Sequence, residues 1–198
     1  MPSPLRETGP MRSLNRVGMQ PASLPLSADD ILEFHAARLL LLLHVCGISG
    51  RIDGLTKMAK LDFFSRYPDF FETARLAVAS GVQEQTDAAR QFKVTVESAM
   101  VRHHYGPWDK RYYHVLAHLE AKRLISVAKH DNSYRLALTE LGRSRAKDLS
   151  KRTSFGPLVE RMRDIKKIFG SKNGTYLKNL IYRIFDEEVG RRPMGEII

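Results

Sequence analysis

Cysteine is almost missing from this chain: among 198 residues there is one, Cys46. A single thiol excludes an intramolecular disulfide and any cysteine-rich zinc site, and it fits a reducing cytoplasm. Cys46 ends an apolar helical run, where it reads as a small buried hydrophobe. Long apolar runs are missing as well. In "ILEFHAARLLLLLHVCG" the longest unbroken one is Leu39–Leu43, with Glu33, His35 and Arg38 just ahead of it. A spanning helix needs about 20 consecutive apolar residues, so no membrane association is expected and that helix reads as core. The opening "MPSPLRETGPMRSLNRVG" lacks the apolar stretch of a secretory signal. The expected location is the cytoplasm.

Catalytic constellations are equally scarce. His114 and His118 have the i, i+4 spacing that puts two imidazoles on one helix face, yet the sequence offers no third metal ligand. "GSKNGT" (Gly170–Thr175) has a phosphate-loop flavour, but a P-loop needs G-x-x-x-x-G-K-[ST] after a strand, and here a helix precedes it. Glu187 and Glu188 read as a solvated pair near a helix end. No Ser/His/Asp or Cys/His arrangement stands in a recognisable context. The expectation is a protein that is not an enzyme, with no catalytic residues, no metal and no cofactor.

What the chain does have is positive charge, unevenly placed. Its formal net charge is +10 with an apolar content of 43%, enough for an ordinary core. Residues 1–26 carry three Arg and one Glu, and residues 27–97 carry eight basic and ten acidic side chains. Residues 98–198 carry 21 basic and eleven acidic ones, so the excess belongs to the C-terminal half. Such an excess points to a polyanionic partner, most often nucleic acid, although charge alone does not separate DNA from an acidic protein surface.

The local signals divide the chain into four parts. Residues 1–26, with Pro2, Pro4, Pro10, Pro21 and Pro25 and no sustained period, read as a flexible arm. Residues 27–97 read as a helical segment. Ser27 caps a first helix that runs to Cys46 and stops at Gly47, "GISGRIDG" is a turn, and Leu55, Met58, Leu61, Phe63 and Phe64 form the stripe of a second helix. Pro68 ends or bends that helix, a third closes at Gly81, and "VQEQTDAARQF" is polar and weakly patterned. Within 98–150, "SAMVRHHYGP" is extended or a helix end, and Asp109 caps a helix reaching Arg123 with Tyr112, Val115, Leu116 and Leu119 on one face. "LISVA" and "YRLAL" around "KHDNS" form a hairpin, and Thr139 caps a further helix. Residues 151–198 hold two closing helices, Pro157–Phe169 and Thr175 to about Glu188, and an irregular tail.

Helix, strand, tight hairpin, strand and a helix opening at "LTELGR" is the order of a winged helix, and residues 98–148 resemble that family. The matching residues are Tyr112, Leu116, Leu119, Glu120, Leu124 and Ile125, then Tyr134, Leu136, Leu138, Thr139 and Gly142. The expected fold is therefore mainly α with a small β-hairpin: a winged helix-turn-helix carrying additional N- and C-terminal helices. In a DNA reader of this kind the helix after "YGPW" enters the major groove and the wing meets phosphates. Candidate backbone contacts are Lys110, Arg111 and His114 at the helix start and Lys129 and Arg135 on the wing. The amphipathic basic helix "VERMRDIKKIFG" adds Arg161, Arg163, Lys166 and Lys167. The outward face is short of base-reading groups, and its small residues suit close packing. Trp108, Tyr113, Ala117 and Ala121 are thus candidates for a protein interface, with Trp108 and Tyr112 also able to anchor the corner.

A narrower resemblance covers most of residues 30–185. "KLDFFSRYPDFF", "VRHHYGPWDKRYYHVLAHLEAKRLI" and "FGSKNGTYLKNLIYRIF" are together similar to the middle component of ABC three-component systems, prokaryotic defence assemblies that include the Lamassu type. The resemblance implies a noncatalytic accessory subunit joining an SMC-like ABC ATPase to an effector nuclease. It also implies contact with double-stranded DNA, mainly nonspecific. The residues 1–26 have no counterpart in that pattern. The competing expectation is a stand-alone winged-helix transcription regulator, which places Arg, Asn or Gln on its reading face.

Overall fold

The computed structural model describes residues 31–81, 100–103, 106–131, 133–191 and 193–196. The arm 1–26, the Ser27 cap and the polar segment 82–92 lie outside the described residues. Among those described, the chain is mainly helical, with seven α-helices and a small antiparallel sheet. No described helix is long and apolar enough to cross a membrane.

Helix α1 (Leu32–Cys46) buries Leu39–Leu43 completely or nearly so, and Gly47 ends it as the sequence pattern predicts. Helix α2 (Leu55–Arg66) breaks at Tyr67, ahead of Pro68, which sits in the first turn of α3 (Pro68–Ser80) where its missing N–H costs nothing. Gly81 closes α3 in the left-handed conformation at φ 64°. Helix α4 (Tyr112–Ala121) leads into the hairpin β4 (Ile125–His130) and β5 (Ser133–Leu138), then α5 (Glu140–Ser150), α6 (Gly156–Phe169) and α7 (Gly174–Ile184). Thr139 caps α5 and Asn173 caps α7, each side-chain oxygen accepting an N–H three residues on.

One strand departs from the sequence reading, and another bears out the extended alternative ahead of Gly106. The turn "GISGRIDG" contains β1 (Arg51–Asp53), which pairs antiparallel with β5 and makes a three-stranded sheet ordered β1–β5–β4. The 27–97 segment thus contributes a strand to the same sheet as the 98–150 hairpin, and one hydrophobic core runs through all seven helices. The extended segment before Gly106 is β2 (Val101–His103), paired with β3 (Gly106–Trp108). Phe64 stacked on Phe169 at 4.9 Å and Phe70 edge-on to Phe185 at 4.7 Å lock α2 and α3 against α6 and the end of α7.

Helix α2 has no amphipathic stripe because every residue from Met58 to Arg66 is buried. Three of those are charged, and they fix where α4 begins. Asp62 accepts from Arg38 Nε at 2.9 Å and from the Tyr112 hydroxyl at 2.8 Å. Arg66 donates to Asp109 at 2.8 Å, and Arg111 adds two further side-chain bonds to the same carboxylate. Burial pushes the Asp109 carboxyl up, but the hydrogen bonds from Arg111 and the charge of Arg66 outweigh it and hold it well below the usual carboxylate range. Asp109 also accepts the Arg111 backbone N–H at 2.9 Å, so it organises the turn two residues before α4 starts. The helix therefore starts two residues later than a cap at Asp109 predicts.

Lys60 is the third charge. It is fully buried, and its ammonium donates to the Pro107 carbonyl at 2.8 Å, with Gly106 at φ 90° packed against its tip. Burial, helped by the charge of Lys178, lowers its pKa to about 7. The folded chain then releases this proton while the unfolded chain, at the ordinary lysine value of 10.5, still holds it. Stability should rise with pH between about 7 and 10.5, because the unfolded state binds more protons there. Urea unfolding of the wild type and Lys60→Met from pH 6 to pH 9 checks this. The stability advantage of the variant should shrink by about 1.4 kcal/mol per unit above pH 7. A difference that stays level would show that the ammonium titrates normally.

Candidate nucleic-acid interface

The buried Asp62–Tyr112 and Arg66–Asp109 pairs hold the first turn of α4 to α2, while Val115, Leu116 and Leu119 bury its inner face. What faces out is Tyr113 at 62% exposure, with His114, Ala117, Glu120 and Ala121. Glu120 is not idle there. Its carboxylate accepts the Val127 N–H at 3.0 Å, satisfying a donor on β4, an edge strand of the sheet. The bond leaves the carboxylate's negative charge on the outward face, which disfavours phosphate there, and two alanines form the flat middle of that face.

Trp108 is corrected by the structure. At 6% exposure it is core, stacked on His103 at 5.4 Å and edge-on to Tyr112 at 5.2 Å, so it does not offer itself as an interface hot spot. The reason is β3: pairing with β2 turns residues 106–108 inward against α2 and α4. Tyr113, Ala117 and Ala121 keep the outward positions assigned to an interface, and Tyr113 packs its ring against Trp108 at 5.9 Å.

The nine basic candidates fall into two groups. Three serve internal partners: Arg111 is committed to Asp109, Arg135 to Asp53 at 3.1 Å, and Arg161 to the Ser65 carbonyl at 2.6 Å. The first stays within the turn ahead of α4, and the other two join β5 to β1 and α6 to α2. The other six, Lys110, His114, Lys129, Arg163, Lys166 and Lys167, are exposed, with Lys166 also donating to the Gly47 carbonyl and Lys167 to Asp164. Lys110 and His114 lie at the start of α4 and Lys129 on β4, whereas Arg163, Lys166 and Lys167 lie on α6, packed against α1. The sequence places these six in one charge class. The fold gives them two supports.

Two basic side chains escaped the sequence reading. Arg143 and Lys147 of α5 stand next to His44 and Lys166, and α5 was read only for its cap. Their i, i+4 spacing away from the buried Gly142 and Ala146 was the available signal. On the other flank of α5, a groove of about 550 Å³ runs between α1, α4 and α5. Its floor includes Ala36, Leu40, Leu119 and Leu149, and Lys122, Arg145 and Arg152 stand on its rim with Glu33 and Asp148.

His114 is exposed and His118 lines that groove, half-buried. Among the described residues no three His, Cys, Asp or Glu side chains are grouped closely enough to hold a metal ion. The Cys46 thiol is pushed up to about 12 by burial and donates to the Met162 carbonyl at 3.3 Å, so it is unreactive packing. Compared with protein-family models, curated proteins and solved structures, the chain matches none.

Proposed function

We propose that this protein is a noncatalytic accessory subunit of a winged-helix type, cytoplasmic, that docks on a larger assembly and touches double-stranded DNA through the phosphate backbone. On this reading α1, β1 and α2 belong to the winged helix together with α4, β4 and β5, because a strand ahead of the hairpin closes the sheet as β1–β5–β4. The winged helix then begins near residue 31 and takes α3 and the β2–β3 ladder as an insertion between its second and third helices.

The observation that carries the proposal is the outward face of α4. Base edges in the major groove are read by Arg or Lys on guanine and by Asn or Gln on adenine. Tyr113, His114, Ala117 and Ala121 form none of those bidentate pairs, and Glu120 is occupied by the wing. A flat face with two alanines and one large exposed tyrosine suits a protein surface instead. The similarity of "KLDFFSRYPDFF" and the "YGPW" helix to the middle component of ABC three-component systems supplies the partners: an SMC-like ABC ATPase and an effector nuclease of a prokaryotic defence complex.

The test is assembly. Purified alone, the protein should run as a monomer in light scattering; co-expressed with the products of the neighbouring genes, it should elute with an ATPase. Tyr113→Ala combined with Ala117→Arg should abolish that co-elution while leaving the isolated fold unchanged by circular dichroism. A homodimer that binds one DNA sequence tightly would instead establish the stand-alone regulator.

A further inference from the structure

The C-terminal end of α1, the turn at residues 47–50, α5 and α6 enclose a second groove. Two adjoining cavities of about 400 and 480 Å³ share His44 and Lys166 as their common wall. Arg143 and Lys147 stand on the α5 side, and Arg163, Lys166 and Lys167 on the α6 side. We propose that this groove is the track along which the chain holds the phosphodiester backbone of a nucleic acid, with Arg143, Lys147, Arg163 and Lys166 as the phosphate contacts. The inference rests on the reading of the protein as a backbone binder and names the surface that does the binding.

The groove is built rather than incidental. Lys166 donates to the Gly47 carbonyl at 3.3 Å and Arg143 to the Ser49 carbonyl at 2.7 Å, one from each wall onto the same turn. These bonds fix both cations in place and occupy two carbonyls of the turn just past the C-terminus of α1, which would otherwise repel an anion. A guanidinium has five N–H donors and an ammonium three, so each cation keeps donors for a second acceptor. Neither carbonyl cancels a charge. The carboxylates on the groove are few: Glu140 lies 4.0 Å from Arg143 and is almost wholly solvated, and Asp164 pairs with Lys167. Among the described residues Lys147 and Arg163 have no acidic partner, so five cations face two carboxylates.

His44 reports the field inside the groove. It is half-buried, and its pKa is lowered by burial and then by the charges of Lys166, Arg143 and Lys147. An anion seated among those cations reverses their effect on the imidazole. The test therefore has two arms on the full chain. In the first, the His44 ring signal is titrated by NMR with and without a 15-base-pair duplex, and separately with inorganic phosphate. The apparent pKa should rise by about 0.5 unit or more in both cases. In the second, duplex affinity is measured against salt. Arg143→Gln with Lys147→Gln should reduce the log–log slope by about 2, and Lys147→Gln alone, which breaks no bond in the turn, by about 1. Arg183→Gln on α7, which packs on α2, α3 and β3 instead, should leave it unchanged.

Undiminished slopes in the α5 variants with a motionless His44 would overturn the groove and leave backbone binding elsewhere intact. A His44 shift with phosphate but not with duplex would show a free-anion site and overturn the nucleic-acid track. No duplex binding by the wild type at 50 mM salt would overturn the backbone reading itself, and this inference with it.

Discussion

Asp62→Ala should cost about 3–5 kcal/mol of folding stability, because it removes a buried carboxylate from between two buried guanidinium groups. Asp62 is fully buried, as are Arg38 and Arg66, and Tyr112 spends its hydroxyl on the same carboxylate. Removing the anion takes from Arg38 Nε the acceptor that lies 2.9 Å away, and from Arg66 one of the two carboxylates beside it, Asp109 remaining. The start of α4 loses its tie to α2 through Tyr112, so the damage reaches the outward face as well as the core. Urea unfolding of the variant should show a much lower midpoint with an unchanged slope. Replacing Arg38, Asp62 and Arg66 together with apolar residues of similar volume should cost less than Asp62→Ala alone, since no uncompensated charge then remains. If the triple replacement were the worse of the two, the pairs would be net stabilising and this account of the core would be wrong.

The second large effect sits at the junction between the hairpin and α5. A β-carbon placed on Gly142 would lie 1.8 Å from the Leu124 carbonyl oxygen, a backbone atom that cannot step aside alone. That oxygen accepts the Thr139 N–H at 3.1 Å, and the Thr139 hydroxyl oxygen in turn accepts the Gly142 N–H at 3.0 Å. Gly142→Ala therefore forces α5 away from the start of β4 and breaks the contact that seats α5 on the sheet. A loss of about 3 kcal/mol or more is expected in thermal unfolding, at the severe end for one added methyl. Thr139→Val, which removes the cap but adds no clash, should cost only about 1 kcal/mol. Similar losses from the two variants would mean that the capping bond, not the close approach, sets the stability of this junction.

That junction also shows what was legible in the sequence. "LTELGR" declares its structure locally: Leu138 buries, Thr139 caps and Gly142 permits the approach, each within a few residues. The break at Pro68, the hairpin around "KHDNS" and the stop at Gly47 are local in the same sense. Strand β1 was not legible, because "RID" becomes a strand only by pairing with residues 135–137 more than 80 positions away. The burial of Lys60, Asp62 and Arg66 was hidden for a different reason. A helix buried all round has no polar face to mark its orientation, and only the arrival of Arg38, Pro107, Asp109 and Tyr112 makes polar residues tolerable there. Trp108 was misplaced by the same limit: its side of the corner is set by the β2–β3 ladder, not by its own neighbours in sequence. Of the proposed interface, the shortage of base-reading groups on α4 could be read directly. The meeting of Arg143 and Lys147 with Lys166 could not, since it joins two helices across the end of α1.

The central claim is that this chain touches DNA through phosphates and reads no bases. Its most direct measurement is duplex binding by the full chain from 50 to 300 mM salt, on two unrelated sequences of equal length. The account predicts equal affinities at every salt concentration and a linear fall of log K with log salt, as counterion release requires. A preference of a hundredfold or more for one sequence, persisting at 300 mM salt, would contradict it.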